Sequence, residues 1–142
     1  MNSSLPPDGL NCQEAFVTLA SEHSERLVEF YGALLGQQAS PHLPNRYAEF
    51  ALAGLRLAIF RPQERNVAEF VHPSSGGMSL CLEVADLEGA IAHLTALGYP
   101  PPGPILTASH GREVYAYDPD GNRLILHQKP VSVRGEQDAN PN

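Results

Sequence analysis

Apolar and polar residues follow the same order twice along the chain. Alternating runs at residues 15–20 and 79–84 predict strands, because successive side chains of a strand point to opposite faces. An apolar stripe with helical spacing follows each run and stops at Gly36 or Gly98, residues that accept the left-handed backbone of a helix C-terminus. Two or three further strands complete each half, so the sequence predicts an internal duplication.

The individual elements can be placed from their patterns. Asp86 is a plausible N-cap of the second helix. Paired strands are predicted at 47–52 and 55–60, and again at 114–117 and 124–127. The last pair is joined by Asp118-Pro119-Asp120-Gly121-Asn122, whose residue types are typical of a tight turn. The stripes consist of Leu27, Val28, Tyr31, Leu34 and Leu35, and of Leu87, Ala90, Ile91, Leu94 and Leu97.

Three of these segments carry a family resemblance. Phe30-Tyr31 through Leu35-Gly36, the segment 84–88 and the turn 118–122 resemble, in their order and spacing, the vicinal-oxygen-chelate superfamily. That superfamily includes glyoxalase I, bleomycin-resistance proteins, extradiol dioxygenases and methylmalonyl-CoA epimerase. The resemblance implies an α+β fold in which two βαβββ modules in tandem form facing curved mixed sheets with a central cleft.

The length of the chain suits one domain. A chain of 142 residues is large enough for one core, and the resemblance implies a single glyoxalase/bleomycin-resistance-like domain at 14–129, divided into module one (14–70) and module two (78–129). Residues 1–13 and 130–142 are polar and lack an apolar period, so we expect a flexible leader and a flexible tail.

Charge and composition exclude several classes of function. The net charge of −7 argues against nucleic acid, and the nine Lys and Arg residues look scattered along the chain. No apolar run approaches the roughly 20 residues that cross a bilayer, and the N-terminus lacks the apolar segment of a signal peptide. The expected location is the cytoplasm, where a disulfide between Cys12 and Cys81 is not expected.

The two faces of the predicted strands differ in character. One face is uniformly aliphatic, for example Leu57, Leu82 and Leu126, and should pack under the helices. The other face is mixed and should line the cleft, which needs apolar walls with a few polar groups. The candidate ligand-binding residues on this face are Phe16, Thr18, Arg56, Phe60, Ser79, Cys81, Tyr117, Ile125 and His127.

The resemblance also implies where a metal ion would be held. The enzymes of this family typically bind one divalent metal through four ligands, one from each of strands one, four, five and eight. The matching positions here are Phe16, Ala58, Ser79 and Ile125, and their immediate neighbours supply neither His nor carboxylate. We therefore expect no metal, no cofactor and no catalytic residue.

Two roles remain open for His110 and His127: a metal-binding or catalytic pair, or neutral histidines with local hydrogen bonds. Cys81 is expected to be a small buried hydrophobe rather than a nucleophile.

The favoured function is therefore a metal-free small-molecule-binding protein of the glyoxalase/bleomycin-resistance type, a homodimer whose ligand and ligand charge are unknown. The net negative charge of the protein favours a cationic ligand. Arg56 would favour an anionic ligand, unless it pairs with Glu49 instead. The alternative is a lyase, isomerase or dioxygenase of the same superfamily that acts through a shifted or metal-independent site. A third possibility is an interaction protein whose mixed face is buried against another subunit.

Overall fold

The computed structural model describes residues 10–70 and 76–130. The element order confirms two βαβββ modules in tandem. Residues 131–142 of the predicted tail, most of the predicted leader, and His72 lie outside the described residues, and the predicted domain limits stay a prediction. The elements are β1 (Val17–Ala20), α1 (Ser24–Leu35), β2 (His42–Leu43), β3 (Tyr47–Leu52), β4 (Leu55–Phe60), a 3-10 helix η1 (Glu64–Phe70), β5 (Leu80–Glu83), α2 (Leu87–Leu97), β6 (Leu106–Ala108), β7 (Gly111–Tyr117) and β8 (Arg123–Gln128).

The two modules have the same sheet topology. The first sheet has the order β1-β4-β3-β2 and the second the order β5-β8-β7-β6. In each sheet the first pair of strands is parallel and the other two pairs are antiparallel. The predicted α+β fold with two mixed sheets is thus confirmed. The sequence did not assign the short strands β2 and β6, since two or three residues are too few to show an alternating pattern.

Both helices end as the sequence predicted. Gly36 and Gly98 follow α1 and α2 with φ of 67° and 96°, and the N–H of each donates to a carbonyl of the preceding turn. The Asp86 side chain caps α2 by accepting from the Gly89 N–H at 3.0 Å.

One apolar core joins the two modules. Side chains of both helices and both sheets contribute to it, among them Leu27, Leu57, Leu94 and Leu126, each at most 1% exposed. These include members of the aliphatic strand face, which confirms that this face packs inward. The two halves therefore bury their apolar side chains in a shared interior.

A buried hydrogen bond connects the modules within this core. Asp118 is only 3% exposed and accepts from the Tyr31 hydroxyl of α1 at 2.7 Å. It also accepts from the N–H groups of Asp120 and Asn122 at 2.9 Å and from the Asn122 amide at 2.8 Å. Burial, together with the neighbouring Asp118 carboxylate, raises the pKa of Tyr31 well above its usual range. Two of the sequence markers, the Phe-Tyr pair and the Asp-Gly turn, are thus in direct contact.

We expect Tyr31→Phe to reduce the free energy of unfolding by about 1–3 kcal/mol, because Asp118 loses a donor that water cannot replace. Urea unfolding followed by circular dichroism measures this. Tyr115→Phe is the matched control, since Tyr115 is 40% exposed. Equal stability of the two variants would contradict the assigned role of the hydroxyl.

An ion pair joins β7 to the first turn of α2. The Arg112 guanidinium donates to both Glu88 carboxylate oxygens, at 2.6 and 2.9 Å, and lowers the pKa of Glu88 from 4.5 to about 2. Because the folded-state pKa is depressed, the stabilisation is present above pH 4.5 and is lost as the pH falls towards 2.

Glu88→Gln should therefore flatten the dependence of stability on pH across that window, with the difference from wild type vanishing at its acidic end. Chemical unfolding at a series of pH values is the measurement, and Glu29→Gln on the exposed face of α1 is the control. If the free energy of unfolding of Glu88→Gln and of wild type changed with pH in parallel, the ion pair would not contribute to stability.

Candidate functional site

The mixed strand face of module one carries a compact network around Arg56. Arg56 pairs with Glu14 and with Glu49, at 3.1 Å from the latter, and its guanidinium lies 4.8 Å from the Phe16 ring centroid. The Tyr47 hydroxyl donates to Glu49 at 2.6 Å, and this bond and Arg56 hold the pKa of Glu49 below its usual range. The charge of Arg56 is thus balanced by two carboxylates, which makes it a poor partner for a ligand.

A separate cavity of about 770 Å³ opens at the end of the same face, between β3, β4 and η1. We call it the arginine pocket. Three guanidinium-bearing side chains and three aromatic rings line it, together with one carboxylate, that of Glu69. The six side chains are Arg46, Arg61, Arg65, Tyr47, Phe60 and Phe70.

Local structure brings these side chains together. The Arg61 N–H donates to the Arg46 carbonyl at 3.0 Å, which fixes the end of β4 against the turn that precedes β3. Phe60 and Phe70 meet edge to face with centroids 5.6 Å apart, which holds η1 against the strand. Among the predicted ligand-binding residues, only Phe60 lines this pocket.

The arginine pocket was missed in the sequence because Arg46 is separated along the chain from Arg61 and Arg65. Arg46 lies between β2 and β3, whereas Arg61 follows β4 and Arg65 lies in η1, so the nine Lys and Arg residues look scattered along the sequence. The structure corrects that interpretation, since a third of them converge on one cavity. The signal that was available is the pair Arg61 and Arg65, which flank the start of η1.

The mixed face of module two carries a row of ionisable groups across three strands. His127 of β8 lies opposite Glu83 of β5 and opposite Glu113 of β7. The Nδ1 of His127 is 2.8 Å from the Glu83 carboxylate, and its Nε2 is 3.2 Å from the Nδ1 of His110, in the turn between β6 and β7. The bond from His127 holds the pKa of Glu83 below its usual range.

Gly111, the first residue of β7, gives the His127 ring its space. It has a φ of 131°, and a Cβ at this position would lie 2.9 Å from His127 Nε2 and would also meet the Gln128 carbonyl. At position 111, only glycine can adopt this backbone conformation and also leave the Nε2 of His127 accessible.

The other predicted site residues are distributed over both modules. Thr18 and Ser79 line a small cavity of about 200 Å³ where the two modules meet, and the Ser79 hydroxyl accepts from Arg123 at 2.8 Å. Ile125 is half-buried between Cys81 and Tyr115 of the neighbouring strands, while Tyr117 lies opposite Arg123.

Cys81 was expected to be buried, and this is wrong. The structure exposes it on the mixed face as a free thiol, because β5 is an edge strand of its sheet. Partial burial, with the carboxylates of Glu83 and Glu113, raises its pKa, so the thiolate is disfavoured and the residue is not an activated nucleophile.

The four positions at which the resemblance implies metal ligands do not fit a metal ion. Phe16, Ala58 and Ile125 have no donor atom, and the Ser79 hydroxyl is bonded to Arg123. The structure describes a different group of possible ligands, His110, Glu113 and His127, whose ligand atoms lie within 4.8 Å of one another.

Comparison with known proteins agrees with this fold. The glyoxalase-like domain family matches residues 16–127, and the chain belongs to that family, within the vicinal-oxygen-chelate superfamily. No curated protein sequence matches significantly. Among residues 10–70 and 76–130, no helix has the length and apolar character that crossing a membrane requires.

Several solved structures share the fold. A glyoxalase-related enzyme from Fulvimarina pelagi is 26% identical with a TM-score of 0.67, over 84% of this chain and 91% of that one. A glyoxalase/bleomycin resistance protein from Catenulispora acidiphila is 23% identical with a TM-score of 0.61, over 82% and 97%. A fosfomycin resistance protein from Listeria monocytogenes is 17% identical with a TM-score of 0.64, over 85% and 96%.

We expect Gly111→Ala to lower the free energy of unfolding by about 2–4 kcal/mol, because a Cβ meets backbone and imidazole in a strained conformation. Gly54→Ala is the matched control: its φ is also positive, at 75°, but the space around it is open. Its expected loss is only about 1 kcal/mol. Thermal unfolding compares the two, and equal losses would show that His127 and Gln128 do not restrict position 111.

Proposed function

We propose that the protein binds a small organic anion with a planar apolar part in the arginine pocket, without a metal ion at the four strand positions. The observation that carries this proposal is that three arginines and three aromatic residues line one open cavity of about 770 Å³. This volume lies within the usual range for small-molecule sites.

The charge of the pocket favours an anion. Three arginines and one carboxylate line this pocket in a protein whose net charge is −7, so the pocket is a local positive region on an acidic molecule. Guanidinium groups bind carboxylate or phosphate through paired hydrogen bonds. These contacts support a negative charge for the ligand, a point that the sequence left open.

The aromatic lining favours a ligand with a planar ring. Phe60 and Phe70 already meet edge to face, and Phe70 keeps 43% of its surface exposed. A flat apolar group could cover that surface and also contact Tyr47, which lies opposite Phe60 on the neighbouring strand. Polar and apolar groups would then fix the two ends of the ligand separately.

Binding without a metal at the strand positions is supported by their side chains, which lack ligand atoms or are already bonded.

A homodimer is also part of the proposal. Large apolar side chains of the mixed faces, Phe16 and Tyr115, remain 42% and 40% exposed in the single chain, and a second copy would cover them. Light scattering on purified protein measures the oligomeric state.

An enzymatic alternative is favoured by one observation. The chain of bonds from Glu83 through His127 to His110 resembles the arrangement of a general base held by a carboxylate. It lies in module two, away from the arginine pocket. A lyase, isomerase or dioxygenase would therefore need a substrate that reaches this region.

The binding proposal predicts which compounds stabilise the protein. In a thermal-shift screen, naphthoate and phenyl phosphate should raise the melting temperature, whereas benzylamine should not. Titration calorimetry should then show that Arg61→Ala weakens binding of the active anion by about tenfold or more, since a bidentate charged contact is lost.

Lys129→Ala is the control, because it removes the same charge from the exposed end of module two. If it weakened binding as much as Arg61→Ala, general electrostatics rather than the pocket would be responsible. Preference for the amine, or an anion affinity unchanged by both Arg61→Ala and Arg65→Ala, would overturn the proposal.

A further inference from the structure

The ionisable row of module two has the form of a metal site at a place where the family resemblance implies none. Strands β7 and β8 place Glu113 and His127 directly opposite each other on one face, and the turn before β7 brings His110 over them. The three ligand atoms lie within 4.8 Å of one another. His127 is two residues beyond Ile125, the position that matches a family ligand on this strand.

The hydrogen bonds orient His127 for coordination. Its Nδ1 is 2.8 Å from Glu83, which can only accept when ionised, so Nδ1 carries the proton. The Lys129 N–H donates to the other oxygen of Glu83 at 2.9 Å and holds the carboxylate in place. The lone pair of His127 is therefore on Nε2, which faces His110. A carboxylate that fixes the far nitrogen of a ligating histidine is a recurrent feature of metal sites.

The distance between the two imidazole nitrogens suits a tetrahedral ion. Zinc binds histidine nitrogen at about 2.0–2.1 Å, so two such ligands lie about 3.3 Å apart in tetrahedral geometry. The observed distance between His110 Nδ1 and His127 Nε2 is 3.2 Å. The two rings stack with centroids 5.3 Å apart and planes inclined by 24°, which leaves the nitrogens side by side.

The surroundings leave room for an ion. Gly111 adds no side chain beside His127 Nε2, where a Cβ would approach to 2.9 Å. His110 is exposed at the turn, so an ion can enter from solvent and the ring can adjust its position. Two carboxylates, Glu83 and Glu113, flank the imidazoles and lower the cost of bringing in a positive charge.

We infer that His110 Nδ1, His127 Nε2 and the Glu113 carboxylate bind a divalent zinc-type ion, with Glu83 as the residue that positions His127. Two nitrogens and one oxygen form the ligand set of borderline metals. Three protein ligands leave one position for water or a ligand oxygen, as in catalytic rather than structural zinc sites. The inference is independent of the arginine pocket, which lies in module one.

The test is titration of the chelator-treated, full-length protein with zinc chloride by calorimetry. We expect one ion per chain, and cobalt(II) in its place should give the intense visible absorption of a tetrahedral site. His110→Ala and Glu113→Gln should each weaken zinc binding by about tenfold or more. Glu83→Gln should weaken it within the range of about 10–100-fold that orienting partners show.

His42→Ala is the matched control. His42 pairs with Glu25 at 3.0 Å on an exposed surface of module one, so this variant removes a similar histidine–carboxylate pair that lacks the second imidazole. It should bind zinc as wild type does. Circular dichroism of every variant separates loss of ligands from loss of fold.

Three results would each overturn the inference. The first is an absence of zinc binding at micromolar concentrations by folded wild-type protein. The second is an affinity that His110→Ala and Glu113→Gln leave unchanged. The third is binding that Cys81→Ser abolishes while His110→Ala retains it, which would assign the ion to the exposed thiol on the same face.

Discussion

The bond between Tyr31 and Asp118 is the interaction on which the rest of the structure depends. It joins the helix of the first module to the last turn of the second, inside a core that both share. Since Asp118 also organises the β7–β8 turn, the same carboxylate sets where β8 begins. The position of His127 on that strand, and its alignment with Glu83 and Glu113, follow from this start.

Much of the fold could be predicted because its signals are local. The strands β3 and β4 coincide with the alternating runs, and both helices end at the glycines that follow their apolar stripes. The role of Asp118 could not be predicted in this way. An aspartate in a turn usually bonds its own backbone, and nothing local to the turn indicates a tyrosine from the other module.

The candidate sites could be predicted only in part, because they depend on contacts between distant segments. The sequence placed His127 on the mixed face and left a His110–His127 pair open, but the register that adds Glu113 is a property of the folded sheet. Arg56 was a candidate contact for a ligand, yet Glu14 and Glu49 neutralise it. The sequence shows the three arginines of the pocket, but it does not show that they line the same cavity.

The shared core has a consequence for the duplication itself. Within the described residues, backbone pairing stays inside each sheet, so the modules are joined by side chains rather than by a continuous ladder. A fragment containing one module would leave the aliphatic sides of its helix and strands bare to water. The repeated halves resemble each other in topology, but neither is expected to be an autonomous folding unit, and expressing one alone would favour aggregation.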